Sequence, residues 1–164
     1  QLQKAAASGT TSLAQGLDVA PYVDRLVASL AKVYHDKDIK FDLELAEGAA
    51  FYGESGDLME VLGNLLDNAC KWCKNRVRLH AFPLIADQWR EGITIRVEDD
   101  GPGIAADDME DVLQRGRRAD SMTPGHGIGL AVVSDIVAAY GGRVEIDRSE
   151  LGGAKITLTI NYKL

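Results

Sequence analysis

The chain is organised around the stretch Asp57–Lys74, DLMEVLGNLLDNACKWCK. Wound as a helix, this stretch places a set of apolar residues at spacings of three and four, which is typical of a core-facing side: Leu58, Val61, Leu62, Leu65, Leu66 and Ala69. A second stripe carries one acid, two carboxamides and an amine: Glu60, Asn64, Asn68 and Lys71. Asparagine is a poor helix former, because its side chain competes for nearby backbone groups. The polar stripe therefore fits either a cation and phosphate site or an ordinary solvated face.

Length and composition restrict the classes of protein to which the chain can belong. The 164 residues suffice for one domain with a single core, and the net charge of -7 argues against a nucleic-acid partner. An acidic protein can still bind a nucleotide where a metal ion neutralises the phosphates. No apolar run is long enough to cross a bilayer and no signal peptide is visible, so we expect a soluble, cytoplasmic domain. Cys70 and Cys73 have no second Cys or His pair at ligand spacing, which favours two reduced structural thiols over a zinc site.

Hydrophobic periodicity predicts helices and strands along the rest of the chain. Residues 1–16 carry no amphipathic pattern and are expected to be a linker, which leaves 17–164 as the domain. Asp18 is a plausible N-cap for a helix with Pro21 in its first turn, and Ser55 or Asp57 should cap the organising helix. Further helices are predicted at Asp107–Leu113 and Ile128–Tyr140. Alternation predicts strands at Ile39–Leu45, Ala49–Tyr52, Asn75–Phe82, Ile93–Val97, Arg143–Ile146 and Lys155–Ile160, with Pro83–Gly92 as a hairpin connection. Hairpins alternating with separate helices predict an α+β two-layer sandwich rather than βαβ units.

Three glycine clusters follow the organising helix. Asp99-Asp100-Gly101-Pro102-Gly103 comes after a strand, where a carboxylate can accept from the exocyclic amine of adenine, although a plain turn has the same composition. Gly125-His126-Gly127-Ile128-Gly129-Leu130 opens a helix, and such a backbone is a ready anion cradle. Between these two clusters, Gln114–Gly127 has three arginines and no apolar periodicity, so we expect a mobile loop. The third cluster, Gly152-Gly153, is typical of a hairpin turn.

The order of these features resembles the ATP-binding domain shared by sensor histidine kinases, type II topoisomerase B subunits, mismatch-repair ATPases and the ninety-kilodalton heat-shock chaperones. NLLDNACKW is similar to the N box of histidine kinases, and the resemblance covers about Leu17–Tyr162. LAKVYHDKDI, VEDDGPGI and GHGIGLAVV are most similar to the PhoQ branch, the divalent-cation and cationic-peptide sensors of Gram-negative bacteria. The resemblance implies a Bergerat fold, with a mixed and mostly antiparallel sheet, helices on one face and a mobile ATP lid.

The resemblance also implies ATP and Mg²⁺ as cofactors and assigns roles by position. Asn68 matches the residue that holds the Mg²⁺ bridging the phosphates, with Asn64 one turn before it, Lys71 near the phosphates and Trp72 beside the nucleotide. Asp99 matches the acceptor for the adenine amine, and the loop after it lines the base and ribose: Gly101, Gly103 and Ile104. The lid end matches Gly125, His126, Gly127, Ile128, Gly129 and Leu130, and Arg115 and Arg118 match arginines that reach the γ-phosphate. Two departures are that DVLQRG lacks the usual Phe and that Ala154 stands where many relatives have Thr.

The resemblance leaves half of the kinase reaction to another domain. A histidine kinase needs an acceptor His on a helical hairpin, and neither His35, His80 nor His126 lies in such a setting. The implied partners are a dimerisation domain of the same protein and a response regulator receiver domain. The fragment is expected to be monomeric, and its parent a homodimer in the bacterial inner membrane. The rival reading is a self-contained ATPase, which would place a water-activating Glu one turn before the metal Asn, but that position is Asn64, which cannot take a proton.

Overall fold

A computed structural model of the chain describes residues 16–86, 89–105, 108 and 127–162. In that part of the chain the helices are α1 (Val19–Val33), α2 (Ser55–Trp72) and α3 (Gly127–Ala139), and a short 3-10 turn covers His35–Lys37. The strands are β1 (Leu17–Asp18), β2 (Lys40–Leu45), β3 (Ala50–Phe51), β4 (Arg76–Ala86), β5 (Trp89–Asp99), β6 (Arg143–Arg148) and β7 (Ala154–Asn161). Within the described residues no helix combines the length and apolarity needed to cross a membrane.

The main sheet has the strand order β2-β4-β5-β7-β6, and β1 pairs with β3 in a separate two-stranded sheet. Strands β4, β5, β7 and β6 are joined by antiparallel pairings, whereas β2 and β4 are parallel. The predicted α+β fold with a mixed, mostly antiparallel sheet is therefore confirmed. The prediction was wrong in excluding every βαβ unit, because α2 lies on the connection between the two parallel strands. Alternation of side chains is the same in parallel and antiparallel strands, so the sequence pattern could not separate them.

The hairpin formed by β4 and β5 is longer than the sequence predicted. Most of the segment expected to be a connection, Pro83–Gly92, is paired strand, and Pro83 itself lies opposite Ile93. A register shift between Leu84 and Ile85 interrupts the ladder. On its other side β4 pairs with β2 only as far as Ala81, so Pro83 lies beyond that ladder. Edge positions tolerate proline, which lacks the N–H that a central ladder requires.

The core lies between one face of the sheet and the helices. The alternating residues of the three central strands point into it, and all are almost completely buried: Val77, Leu79, Ala81, Ile93, Ile95, Val97, Ile156, Leu158 and Ile160. Helix α2 covers this face with its predicted apolar side, from Leu58 to Ala69, which is also buried. Cys70 and Cys73 join the core as free thiols, and burial raises the pKa of Cys70 to about 12.

Both ends of α2 are held by side chains from distant parts of the chain. The N-cap is Glu54 and makes no side-chain cap bond, so the prediction of Ser55 or Asp57 was wrong. The Tyr140 hydroxyl holds this end of the helix instead, because it donates to Asp57 Oδ2 at 2.6 Å and accepts from the backbone N–H of Glu54 at 3.0 Å. At the other end, Lys37 Nζ donates to three carbonyl oxygens at 2.6 to 2.9 Å: those of Cys70, Lys71 and Cys73. A helix leaves its last carbonyls without intrahelical partners, and a cation there also interacts favourably with the negative end of the helix dipole.

Candidate functional site

The polar stripe of α2 is not a uniformly solvated face. Glu60 and Lys71 are exposed, but Asn68 retains only 4% of its exposure. Neither Oδ1 nor Nδ2 of Asn68 has a hydrogen-bond partner among the described residues. Buried polar groups are normally paired, because leaving a buried donor or acceptor unpaired costs about 1–3 kcal/mol. The side chain is therefore placed as a ligand-binding group would be.

Asn64, one turn before Asn68, connects α2 to the start of α3. Its Nδ2 donates to the backbone carbonyl of Glu60 at 2.8 Å. A Cβ added to Gly129 would lie 3.2 Å from Asn64 Oδ1, so a side chain at position 129 would press on the carboxamide. Helix α3 can pack this closely on α2 because its first turn carries glycine.

Asp99 is buried at the end of β5, with 3% of its exposure remaining. Its Oδ1 accepts from the backbone N–H groups of Gly101 at 2.9 Å and Ala154 at 3.3 Å, and its carbonyl accepts from Gly153 at 3.1 Å. Burial is the largest influence on the Asp99 carboxyl and raises its pKa, while the two amide hydrogen bonds oppose the rise. Both side-chain bonds use Oδ1, so neither occupies the second oxygen, Oδ2.

Glycines allow the loop after Asp99 to lie close to its neighbours. A Cβ on Gly101 would collide with the carbonyl of Trp72, and one on Gly153 would collide with the Asp99 carboxylate. Gly103 has φ +78° and packs against Gly153. A left-handed backbone at that position is readily adopted only by glycine among the common residues. The predicted glycine pair is thus a wall of the same site as Asp99, and not only a hairpin turn.

Asp100 and Lys37 belong to this region, although the sequence did not indicate them. The Asp100 carboxylate accepts from the backbone N–H groups of Lys74 at 2.7 Å, Arg76 at 3.1 Å and Asn75 at 3.2 Å. It therefore fixes the segment after α2 to the loop that carries Asp99, while Lys37 caps the helix itself. The only sequence signal for Asp100 was the pair of adjacent acids in EDDGPG. Successive side chains along an extended chain point in opposite directions, so the two acids could not both face the same site.

These contacts place Asn68 between two walls. Asn64, one turn earlier, contacts the start of α3 at Gly129, and Trp72, one turn later, contacts the Asp99 loop at Gly101. The arrangement puts a carboxamide, which has no partner in the described part of the chain, between a helix N-terminus and a buried carboxylate. The helix N-terminus favours anions, and the carboxylate accepts from donors. Such a surface suits a ligand with an anionic end and a hydrogen-bond donor on its other end.

The other predicted site residues lie in different surroundings. Trp72 is half-buried, whereas Ile104 and Leu130 belong to the hydrophobic core. Gly127 and Ile128 form the first turn of α3. Four predicted residues lie outside the described residues, together with nearly all of the predicted lid and the helix before it: Arg115, Arg118, Gly125 and His126.

Comparisons with known proteins show the family to which the chain is similar. Residues 53–164 match the family described as histidine kinase-, DNA gyrase B- and HSP90-like ATPases. The chain is 42% identical over 156 residues to the sensor protein PhoQ of Escherichia coli strain K12, covering 94% of this chain and 31% of that protein. It is 42% identical over 138 residues to the virulence sensor histidine kinase PhoQ of Salmonella typhimurium strain 14028s, covering 84% of this chain and 27% of that protein. The chain thus spans about a third of the length of the curated relatives it matches.

Solved structures share the fold. Full-length ShkA in complex with AMPPNP superposes with a TM-score of 0.71 at 27% identity, over 88% of this chain and 30% of that one. The mycobacterial sensor histidine kinase MprB superposes with a TM-score of 0.70 at 24% identity, over 90% of this chain and 96% of that one.

Proposed function

The chain belongs to the family of histidine kinase-, DNA gyrase B- and HSP90-like ATPases, and on that premise we propose that it is the ATP-binding catalytic domain of a PhoQ-like sensor histidine kinase. The domain binds ATP with Mg²⁺ and donates the γ-phosphoryl group to a His on a dimerisation domain of the same protein. A response regulator receiver domain then takes the phosphoryl group from that His. The observation that carries the proposal is the buried carboxamide of Asn68, which lies between the Asp99 loop and the start of α3 and has no partner among the residues that the structure describes.

Asp99 supplies the specificity for adenine. An ionised carboxylate only accepts hydrogen bonds, and Oδ1 of Asp99 already accepts from Gly101 and Ala154. The remaining oxygen accepts from the exocyclic amine of adenine, whereas guanine would present a carbonyl oxygen at that edge. Gly101 and Gly103 keep the loop low enough for a flat base, because neither carries a side chain above the backbone. Full-length ShkA, which shares this fold at 27% identity over 30% of its chain, was solved in complex with AMPPNP, an analogue of ATP.

The residues at the other end of the site fit Mg²⁺ and phosphates. Mg²⁺ prefers oxygen ligands, and Asn68 Oδ1 is a buried oxygen without a partner among the described residues. Asn68 would hold the ion, with Asn64 on the same face and Lys71 exposed beside it. When bound, Mg²⁺ neutralises charge on the β- and γ-phosphates. The backbone N–H groups at the start of α3, from Gly127 onward, and the helix dipole favour the phosphates.

Asn64 favours phosphoryl transfer over hydrolysis. A hydrolase of this superfamily needs a general base one turn before the metal ligand, and Asn64 is a carboxamide whose Nδ2 is engaged by the Glu60 carbonyl. The carboxylate of Glu60 is exposed a further turn away, about 6 Å along the axis. Positioning and charge neutralisation are then the whole contribution of this domain to the reaction. The parent protein is a homodimer of the bacterial inner membrane, and this domain lies on its cytoplasmic side.

Phosphotransfer in trans tests the proposal. The chain is incubated with γ-labelled ATP and Mg²⁺, with and without a supplied dimerisation hairpin from a PhoQ relative, and label on protein and free phosphate are both measured. We expect label on the hairpin, none on the chain alone, and slow phosphate release. Asp99→Asn should lose the transfer, and Asp42→Asn, an exposed acid on β2, should keep it. Rapid phosphate release without the hairpin would instead support the self-contained ATPase.

A further inference from the structure

The turn that contacts Asp99 is itself a closed unit. The backbone N–H of Ser149 donates to the carbonyl of Gly153 at 2.8 Å, and that of Gly152 returns to the carbonyl of Ser149 at 3.0 Å. From this turn Gly153 donates to the Asp99 carbonyl and Ala154 donates to Asp99 Oδ1. The position of the turn therefore determines where the Asp99 carboxylate points.

A buried side-chain pair on the opposite face of the sheet holds the turn. Ser149 and Glu98 retain only 3% and 5% of their exposure. The Ser149 hydroxyl donates to Glu98 Oε1 at 2.8 Å and accepts from the N–H of Leu151 at 3.0 Å. Glu98 precedes Asp99 in β5, so their side chains point to opposite faces of the sheet. Glu98 faces Ser149, and Asp99 faces the candidate site.

Arg78 balances the charge of this buried carboxylate. Its Nη1 lies 3.7 Å from Glu98 Oε2 and 2.7 Å from Glu150 Oε1. A buried carboxylate is costly unless it is paired and hydrogen-bonded, and here both conditions are met. Glu98 nevertheless has no part in the reaction proposed above, which leaves its burial to be explained.

We propose that Glu98 and Ser149 are positioning residues for adenine recognition, which act through the 149–153 turn on Asp99. The hydroxyl of Ser149 bridges Glu98 to the backbone of the turn, and the turn delivers two N–H groups to Asp99. With Oδ1 held in this way, the carboxylate cannot rotate freely, and Oδ2 stays directed at the amine of the base. This inference rests on the proposed role of Asp99 and adds a second set of residues that determines specificity.

The test compares ATP with purine riboside 5′-triphosphate, which lacks only the exocyclic amine. Binding of each nucleotide with Mg²⁺ is measured by isothermal titration for the wild type, Ser149→Ala, Glu98→Leu, Glu98→Gln and Glu150→Ala. The wild type should prefer ATP by about tenfold or more, as expected for one hydrogen bond to a charged group. Ser149→Ala and Glu98→Leu should reduce this preference to about twofold, mainly by weakening the binding of ATP.

Two variants serve as matched controls. Glu98→Gln keeps an acceptor for the Ser149 hydroxyl and should keep most of the preference. Glu150→Ala removes the exposed carboxylate of the Arg78–Glu150 ion pair, keeps the hydrogen bond from Ser149 to Glu98, and should leave the preference unchanged. If Ser149→Ala does not fold, the comparison of Glu98→Leu with Glu98→Gln decides the question.

Three results would overturn the inference. Equal weakening of both nucleotides in Ser149→Ala and Glu98→Leu would show a merely structural role, and an unchanged preference would show no role. A wild type that binds both nucleotides equally would remove the adenine contact of Asp99, and with it part of the proposed function. The wild-type measurement therefore separates failure of the proposed function from failure of the inference.

Discussion

Replacing Asn68 by leucine should stabilise the nucleotide-free protein while abolishing binding of Mg-ATP. Asn68 is buried, and its carboxamide has no partner among the described residues. An unpaired buried amide costs about 1–3 kcal/mol, and leucine of similar shape removes that cost. Leucine is also the better helix former by about 0.5 kcal/mol. The free energy of unfolding should therefore rise by about 1.5–3.5 kcal/mol, the sum of these two contributions.

Asn64→Leu is the matched control for this substitution. It makes the same chemical change one turn earlier in α2, but the amide of Asn64 is paired with the Glu60 carbonyl and only half-buried. Its helix-propensity gain of about 0.5 kcal/mol is offset by loss of the hydrogen bond to the Glu60 carbonyl, worth about 0.5–1.5 kcal/mol, so no net gain is expected. A rise in the free energy of unfolding that Asn68→Leu shows and Asn64→Leu lacks therefore reports the cost of burying the Asn68 carboxamide.

Urea unfolding followed by far-UV circular dichroism measures both variants without nucleotide. A thermal-shift assay with Mg-AMPPNP then measures binding, since a ligand that binds only the folded state raises Tm. Wild-type protein should shift upward with the analogue and Asn68→Leu should not. If Asn68→Leu unfolds more easily than Asn64→Leu by 1 kcal/mol or more, the carboxamide contributes to the stability of the free protein, and the reasoning fails.

Three further predictions concern other parts of the site. Burial raises the pKa of Asp99 in the folded protein above its ordinary value of 3.8, so the folded state binds this proton more tightly than the unfolded state does. The resulting contribution to the free energy of unfolding is present at low pH and is lost as pH rises through the folded pKa. Asp99→Asn should accordingly be at least as stable as the wild type at pH 7 in urea, with the difference vanishing below pH 3.8, while titration with ATP shows no binding. Lys37→Met removes the ammonium from three carbonyls at the end of α2 and should lower the free energy of unfolding by about 2 kcal/mol, whereas Lys40→Met, an exposed lysine, should change it by less than about 0.5 kcal/mol. Gly129→Ala puts a Cβ against the Asn64 carboxamide and should weaken the binding of ATP several-fold in titration. Gly56→Ala, where a Cβ meets open space, should leave the binding of ATP unchanged. Equal effects of the two substitutions would contradict the close packing of α2 and α3.

Much of the fold and the list of candidate site residues follow from local patterns and motifs. The apolar side of α2 and the alternation of β5 were predicted correctly, because the direction of a side chain depends only on the helical or strand period. Asn68, Asp99 and the glycines around them were proposed from motifs and from the resemblance to the ATPase family, and their roles stay predictions. The ends of β4 were missed because Pro83 was taken as a break, whereas the strand passes through it at an edge.

The sequence alone determined which residue types the site contains and in which order they occur. It could not reveal that Asn68 has no partner within residues 16–86, 89–105, 108 and 127–162, since pairing depends on which elements pack around it. Tertiary structure alone shows Lys37 at the end of α2, 33 to 36 residues from the carbonyls it caps, and Ser149 on Glu98, 51 residues away. Contacts at such separations obey no period and leave no local pattern. They form only when the parallel pairing of β2 with β4 and the antiparallel pairing of β5 with β7 bring these segments together.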